Sequence, residues 1–488
     1  MCGVIGVIGP FQNPEPSFAA YEAYRGLLTL QHRGQDAAGL LSWDHGSQRF
    51  YQEKDLGLVA DVFNKEKLEK LRGPVAIGHT RYATAGGDGR EDLQPLVSGF
   101  PVGTGMVHNG NLVNYHSLSR QMSAEMGMRF VTHNDLEVFL HLWGHFLREA
   151  QGDFSFERAK VAAQEIFNRT EGAYALIGMV SDEGLFGLRD PGGIRPMVLG
   201  RKQVSETDSR LIHCLTSETV ALNFLGYEYV RDIEPGEFVF INTEGEVLSY
   251  HCTNKPQKTP CMFEWVYFSG AESTLEGKSV YTSRLNLGTV LARKLKPMIA
   301  SGEIEADIVC PVPDTSRTAS ISLSEGLGLP YREALIKNRY IHRSFILNTQ
   351  EAREKAVELK LSPVRSEIEG KNILLVDDSI VRGTTCKKII SLLKRYGAKK
   401  ITLAVTCAPI RHACYYGIDF PSPDELAAKD SKADAIAALV GATHVVYLDE
   451  NDIREAIGLK NLCMACLNNK YPTSIEEGGE FAKLRRKK

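Results

Sequence analysis

The sequence predicts two successive mixed domains: an α+β domain built on an antiparallel-rich sandwich with covering helices over residues 2–250, then an α/β domain with a parallel sheet over 261–472. Three observations carry this. Up to about residue 250, short β-like runs ("VAIGHTRYAT", "GMVHNGNLVN", "YALIGMV", "EFVFINTEG") are separated by Gly, Asn and Asp, with a helix expected around "NDLEVFLHLWGHFLREA". The stretch 251–260, "HCTNKPQKTP", is polar and Pro-bearing and reads as a linker. Beyond it, "KNILLVDDSIVRGTTCKKIISLLKRYGAKKITLAVTCAPI" reads as a strand (373–377), a loop, a helix (about 384–395), a stop at Gly397 and a strand (401–406). That is a βαβ unit, which requires parallel neighbours.

Composition agrees with two proper cores. The 488 residues are 43% hydrophobic and 24% charged, which excludes a disordered chain. A net charge of −3 leaves no electrostatic footprint for nucleic acid or a membrane surface, and the basic tail 473–488, ending "KLRRKK", reads as solvated. With no apolar run of transmembrane length and no signal peptide, a cytoplasmic protein is expected. Ten cysteines are too sparse for a disulfide scaffold, and no internal repeat is present.

The first strand opens "MCGVIGVIGP", with Cys2 directly behind the initiator Met. Removal of Met1 would put a thiol and a free α-amine on one Cα, a nucleophile with its own base attached. Alone, Cys2 could equally fill the inner face of a strand. Later segments supply what such a nucleophile needs. "GHTRYAT" brings Arg81, suited to a bidentate grip on a carboxylate. "HNGNL" brings the Asn109 side-chain amide and the Gly110 backbone N–H, suited to an oxyanion hole, and "THNDLEV" brings Asp135 for an ammonium group. Each taken singly also reads as a surface ion pair or turn residue.

In the second half, "ILLVDDSIVRGTT" ends a β-branched strand in Asp377 and Asp378 and continues into a Ser/Gly/Thr loop before a helix. Ligands of open α/β sheets sit at the carboxyl ends of strands, and such a loop offers N–H groups and hydroxyls to a phosphate. The two acids are then suited to ribose hydroxyls and Mg²⁺, although an acid pair can also be plain turn chemistry. "IVCPVPDTSRTAS" is a second strand-to-loop with Asp314, Thr315 and Ser316, suited to a diphosphate and its metal. "KNRYIHRSFI" carries Lys337, Arg339, His342 and Arg343 among apolar residues.

These words resemble two known families. Residues 373–385 resemble the signature of type I phosphoribosyltransferases, which bind 5-phosphoribosyl-1-diphosphate (PRPP). The resemblance implies that Asp377 and Asp378 meet the ribose hydroxyls or Mg²⁺, that Ser379, Val381, Arg382, Gly383, Thr384 and Thr385 hold the 5-phosphate, that Thr315 joins the Mg²⁺ site, and that the segment with Lys337 and Arg339 closes over PRPP. Cys2, "LQHRGQDAAGL", Arg81, Asn109 and Asp135, with "EGAYALIGM", "RDPGGIRPM" and "TSETVAL", resemble class II glutamine amidotransferases. That implies an αββα N-terminal-nucleophile hydrolase in which Cys2 attacks the glutamine amide while Arg81 and Asp135 read its amino-acid end. Both sets in one chain, in this order, resemble the amidophosphoribosyltransferases, which make 5-phosphoribosylamine from glutamine and PRPP. That family implies a homodimer or homotetramer and purine nucleotide feedback. A different amidotransferase, such as a glucosamine 6-phosphate synthase, would need a sugar-isomerase half, and a regulatory PRPP-binding module would have no use for Cys2.

Cys261, Cys414, Cys463 and Cys466 form a remaining set in which only the last two are close in sequence, as C-x-x-C. Four thiolates suit Zn²⁺ or a 4Fe-4S cluster, and a lone C-x-x-C can be a redox pair; spacing leaves these open. The surrounding words resemble the iron–sulfur branch of the family, which implies a 4Fe-4S cluster on these four.

Overall fold

The computed structural model describes residues 1–11, 16–82, 89–150, 152–253, 257–338, 361–418, 420 and 423–478. Thirteen strands build the first half: β1 (Gly3–Ile8), β2 (Ala37–Asp44), β3 (Arg49–Leu56), β4 (Val75–Arg81), β5 (Leu96–Ser98), β6 (Thr104–Leu112), β7 (Gly172–Val180), β8 (Gly184–Arg189), β9 (Val198–Ser205), β10 (Asp208–Thr216), β11 (Glu228–Asp232), β12 (Glu237–Asn242) and β13 (Val247–His251). They form a sheet ordered β11-β9-β10-β1-β4-β2-β3 and a second ordered β13-β12-β8-β7-β6-β5. Every pairing in both is antiparallel.

The sequence of β1 shows why the sheets stack. Its side chains alternate, with Val4 and Ile8 facing the second sheet and Ile5 and Val7 facing the helices. Gly6 lies on the inter-sheet face, where an added Cβ would come within 2.6 Å of Ile177 Cγ2. Helices Phe18–Thr29 and Thr219–Leu225 cover one outer face. Helices Leu136–Glu149 and Phe156–Arg169 cover the other, giving the expected αββα layering.

The second half opens with a small hairpin, β14 (Thr274–Leu275) with β15 (Lys278–Ser279). Its core sheet joins β16 (Ile308–Pro311), β19 (Asn372–Asp377), β20 (Lys400–Val405) and β21 (His444–Tyr447), all parallel. A short antiparallel pair, β17 (Leu335–Lys337) with β18 (Leu361–Pro363), lies beside it. The expected βαβ unit is present, with its helix at Thr384–Arg395. Strand β19 is central and almost wholly buried, so it reads as an unbroken apolar run that ends in acid.

Within the expected linker 251–260, the described residues at either end are docked. His251 closes β13, and the Thr259 and Cys261 amides donate to the carbonyls of Gly192 and Ile194 at 2.7 and 3.3 Å. Docking there satisfies backbone groups at the entry to the second domain. Among the described residues no helix is long and apolar enough to cross a membrane.

Candidate functional site

Strand β1 runs between β10 and β4, which brings Cys2 to the end of the sandwich where β6 also ends. The Cys2 amide donates to Asn109 Oδ1 at 3.1 Å. Asn109 is fully buried, and its Nδ2 has no hydrogen-bond partner among the described residues. A buried unpaired amide costs stability unless a ligand oxygen meets it, which is the condition of an oxyanion hole. Gly110, next along β6, has φ +150°, and a Cβ there would lie 2.0 Å from the Ala173 carbonyl oxygen. Only glycine fits.

Asp135 precedes helix Leu136–Glu149 without capping it by its side chain, and its Oδ2 instead accepts the Leu112 amide at 2.8 Å. His108 Nε2 lies 3.1 Å from Asp135 Oδ1. Gln94 brackets that imidazole, donating from Nε2 to Nδ1 at 2.8 Å and accepting the His108 amide at 2.7 Å, which leaves the ring proton on the nitrogen facing Asp135. Burial works against the Asp135 charge, but His108 and the Leu112 amide outweigh it and hold the carboxyl below its usual range. Asp135 is therefore an anion ready for a cation. Arg81 is buried at the end of β4, two strands from Cys2's partner strand β10, and its carbonyl accepts the Asp36 amide at 3.0 Å.

Three residues unnamed in the sequence reading organise this end. Arg33, fully buried, donates from Nε to the Cys2 carbonyl at 3.0 Å. Its other nitrogens reach Glu218 of the first half and Glu264 of the second, the latter at 2.9 and 3.0 Å. Glu218 also accepts from Gly270 and Ser273, so this ion cluster spans the two halves. The sequence signal was available in "LQHRGQD" and "TSETVAL", but nothing local says that an Arg and a Glu this far apart will meet. Nearby, Asn111 Nδ2 donates to the Tyr415 carbonyl at 3.2 Å, and Glu477 accepts the Ser117 amide at 3.2 Å.

In the second half, Asp377 and Asp378 end β19 under near-complete burial. Burial and the neighbouring Asp378 push the Asp377 carboxyl well above its usual range; burial raises Asp378 too. Thr315 donates to Asp378 Oδ2, and Ser379 donates to Oδ1 at 2.9 Å, so three predicted residues meet at one carboxylate. Helix Thr384–Arg395 starts at Gly383 (φ +75°) without a side-chain cap among the described residues, and Thr384 and Thr385 are exposed beside its first free amides. Such an end suits a phosphate. Val381 is partly buried, and its carbonyl accepts the Ala427 amide. Arg382 leans away to Glu425 at 2.7 Å, and Lys337 pairs with Asp314 at 2.5 Å. Arg339, His342 and Arg343 lie outside the described residues. Two contributors were missed from sequence. Cys386 Sγ donates to Asp377 Oδ2 at 3.6 Å, and buried Arg284 interacts electrostatically with Asp378 while donating to the carbonyls of Trp265, Tyr267 and Ser269.

Cys261, Cys414, Cys463 and Cys466 are all buried, and the chain gathers them: Cys261 bridges Cys463 in parallel register, and each thiol interacts electrostatically with others of the set. Burial pushes the Cys261 thiol up to about 11. Among the described residues, no three His, Cys, Asp or Glu side chains already stand in a metal-holding arrangement.

Comparison with known proteins agrees with both halves. Residues 79–222 match the glutamine amidotransferase domain family, and residues 282–420 match the phosphoribosyl transferase domain family. The chain is 40% identical over 460 residues to the amidophosphoribosyltransferase of Pseudomonas aeruginosa, covering 94% of this chain and 89% of that one. It is 39% identical over 479 residues to that of Methanothermobacter thermautotrophicus, covering 97% and 95%. Among solved structures it resembles one described as the allosteric regulatory enzyme of purine biosynthesis, with a TM-score of 0.85, 38% identity and 97% coverage of both chains. It also resembles the Bacillus subtilis glutamine PRPP amidotransferase complexed with ADP and GMP, with a TM-score of 0.84, 36% identity, and coverage of 97% and 98%. The chain belongs to the amidophosphoribosyltransferases.

Proposed function

We propose that the chain converts glutamine, PRPP and water into 5-phosphoribosylamine, diphosphate and glutamate, opening purine synthesis, with residues 2–250 as glutaminase, 261–472 as phosphoribosyltransferase and 473–488 as a basic tail. The observation that carries the reading is the pairing of Cys2 with Asn109, whose buried Nδ2 has no partner among the described residues. After loss of Met1, the Cys2 α-amine takes the thiol proton, and sulfur attacks the glutamine amide carbon. Asn109 Nδ2 and the Gly110 amide hold the oxyanion. The C–N bond breaks, nitrogen takes the proton and leaves as ammonia, and water then hydrolyses the thioester to glutamate. Arg81 and Asp135 grip the substrate's carboxylate and ammonium.

At the second site Asp377 and Asp378 face the ribose hydroxyls. Ser379, Val381, Arg382, Gly383, Thr384 and Thr385 take the 5-phosphate, and Lys337 and Arg339 cover the diphosphate. Ammonia attacks C1 as diphosphate departs. The buried acid pair with Thr315 is a hard-oxygen set whose mutual repulsion a divalent cation relieves, so Thr315, Asp377 and Asp378 fit Mg²⁺. Bound there, Mg²⁺ neutralises charge on the leaving diphosphate. Cys261, Cys414, Cys463 and Cys466, buried thiols whose donor chemistry suits iron, would hold a structural 4Fe-4S cluster, which would tie together segments distant in sequence. The Bacillus subtilis structure carries ADP and GMP, which supports purine nucleotide feedback here; the reading includes a cytoplasmic homodimer or homotetramer.

The test follows glutamate and diphosphate together, from glutamine and PRPP–Mg²⁺. Release one for one, with glutamate accelerated by PRPP, is expected. Glutamate without diphosphate would overturn the second half of the reading.

A further inference from the structure

We propose that Arg195 is the buried counter-charge of the centre held by Cys261, Cys414, Cys463 and Cys466, supplied across the domain boundary by the glutaminase half. The proposal rests on the reading of those cysteines as a tetrathiolate centre. It does not depend on which metal they hold, because four thiolates around a 4Fe-4S core or around Zn²⁺ leave the same net dianion. A dianion enclosed in apolar surroundings needs a cation or dipoles close by.

Arg195 lies at the end of the turn in "RDPGGIRPM". Asp190, fully buried, fixes that turn by accepting the amides of Gly192, Ile194 and Arg195 at 3.0, 2.9 and 3.0 Å. The Arg195 side chain is thereby sent into the boundary between the halves, where it is 0% exposed. The segment bearing Cys261 is bonded to the same turn, since the Cys261 amide donates to the Ile194 carbonyl at 3.3 Å. The guanidinium interacts electrostatically with Cys261, Glu264 and Cys414, and Cys463 feels it as well.

Its hydrogen bonding is incomplete. Nη1 touches Met1 Sδ and reaches Glu264 Oε1 at a long 3.4 Å. Nε and Nη2 are buried without any partner among the described residues. Glu264 is a poor candidate to complete it, because Arg33 already holds both of its oxygens at 2.9 and 3.0 Å and Ser269 donates to it at 2.7 Å. Of the buried arginines at this boundary, Arg33 has two carboxylates, whereas Arg195 shares the second of them. An under-paired guanidinium within electrostatic reach of Cys261, Cys414 and Cys463 is costly in the empty protein, and the charge of a filled centre relieves that cost. Arg195 is a positioning residue here, acting through the charge of the centre.

The test compares the full-length wild type with Arg195→Gln and Arg195→Lys, each reconstituted anaerobically with iron and sulfide, by metal content and by the rate of metal loss to a chelator. Thermal unfolding and far-UV circular dichroism check the fold. Loss about tenfold faster in Arg195→Gln, with Arg195→Lys within about threefold of wild type, is expected. Wild-type retention in a folded Arg195→Gln overturns the proposal, and so does equal acceleration in both variants, which assigns the effect to packing. If Arg195→Gln cannot be purified, Arg195→Lys decides alone: loss within threefold supports the proposal and faster loss overturns it. A wild type that binds neither iron nor zinc removes the tetrathiolate reading itself, a failure visible before any variant is made.

Discussion

At the scale of the residue, the two sites store opposite kinds of incompleteness. Asn109 offers an unused donor and Asp377 an unwelcome charge. Asn109→Ala removes the unpaired Nδ2 while leaving the phosphoribosyl half untouched. Glutamine hydrolysis should fall about 10²- to 10³-fold in kcat, and diphosphate release driven by ammonium salts should stay near wild type. Parallel loss of both would place Asn109 in the fold rather than in the oxyanion hole. Asp377 behaves otherwise, because its pKa is raised by burial and by Asp378. Above the ordinary carboxylate range and up to that raised value, the folded protein keeps a proton that the unfolded chain has lost. Ionisation therefore opposes folding as pH rises through this window. Asp377→Asn keeps an Oδ1 for the Asp378 amide and removes the charge. Its melting temperature should exceed wild type by a few degrees at pH 8, with a smaller gain at pH 5, while PRPP binding by calorimetry is lost.

At the scale of the element, the unit from β19 through the phosphate loop into helix Thr384–Arg395 works because its first turn is tied back to its strand. The Cys386 thiol makes that tie to Asp377 Oδ2, holding the helix's free amides in fixed relation to the acids. Cys386→Ser retains a donor and should leave the KM for PRPP within about twofold of wild type. Cys386→Ala should raise that KM several-fold with kcat little changed; an unaltered KM in the alanine variant would show the tie to be idle. Strand, loop and helix here were legible in the sequence because local signals coincide: an apolar run for a central strand, glycine for a left-handed turn, and helix formers behind it. Cys386 was not, because a thiol in the first turn of a helix, one residue beyond Thr385, reads as core filling until the Asp beneath it is seen. The same limit applies to Asp135. A substrate ammonium is legible as its partner, but not the Gln94–His108 pair that sets its charge, since Gln94 comes from another segment. Register explains the rest: Asn109 and Cys2 meet only because β6 and β1 end at one rim of the sandwich, which no window of sequence reports.

At the scale of the whole molecule, the question is what makes two domains with separate cores behave as one enzyme. Val113, Ala173 and Ile194 of the first half pack into the core cluster of the second, and beside them the boundary holds the Arg33 cluster. Glu218 belongs to the first half and Glu264 to the second, and one fully buried guanidinium binds both while its Nε holds the Cys2 carbonyl. Burial opposes the Glu218 charge, yet His32 and Arg33 outweigh it and keep that carboxyl far below its usual range. Both carboxylates converge on this one guanidinium. Arg33→Met fills similar space without charge, leaving two buried carboxylates across the boundary without it. The expected cost is about 3–5 kcal/mol, borne by the docking of the halves as well as by either core. Differential scanning calorimetry should then resolve two transitions where the wild type shows one dominant cooperative unfolding. The same variant should release glutamate without matching diphosphate, because the Cys2 carbonyl and the second domain are no longer held by one group. A single, undisplaced transition with matched products would mean that the contacts of Asn111 with Tyr415 and of Ser117 with Glu477 suffice to hold the halves together.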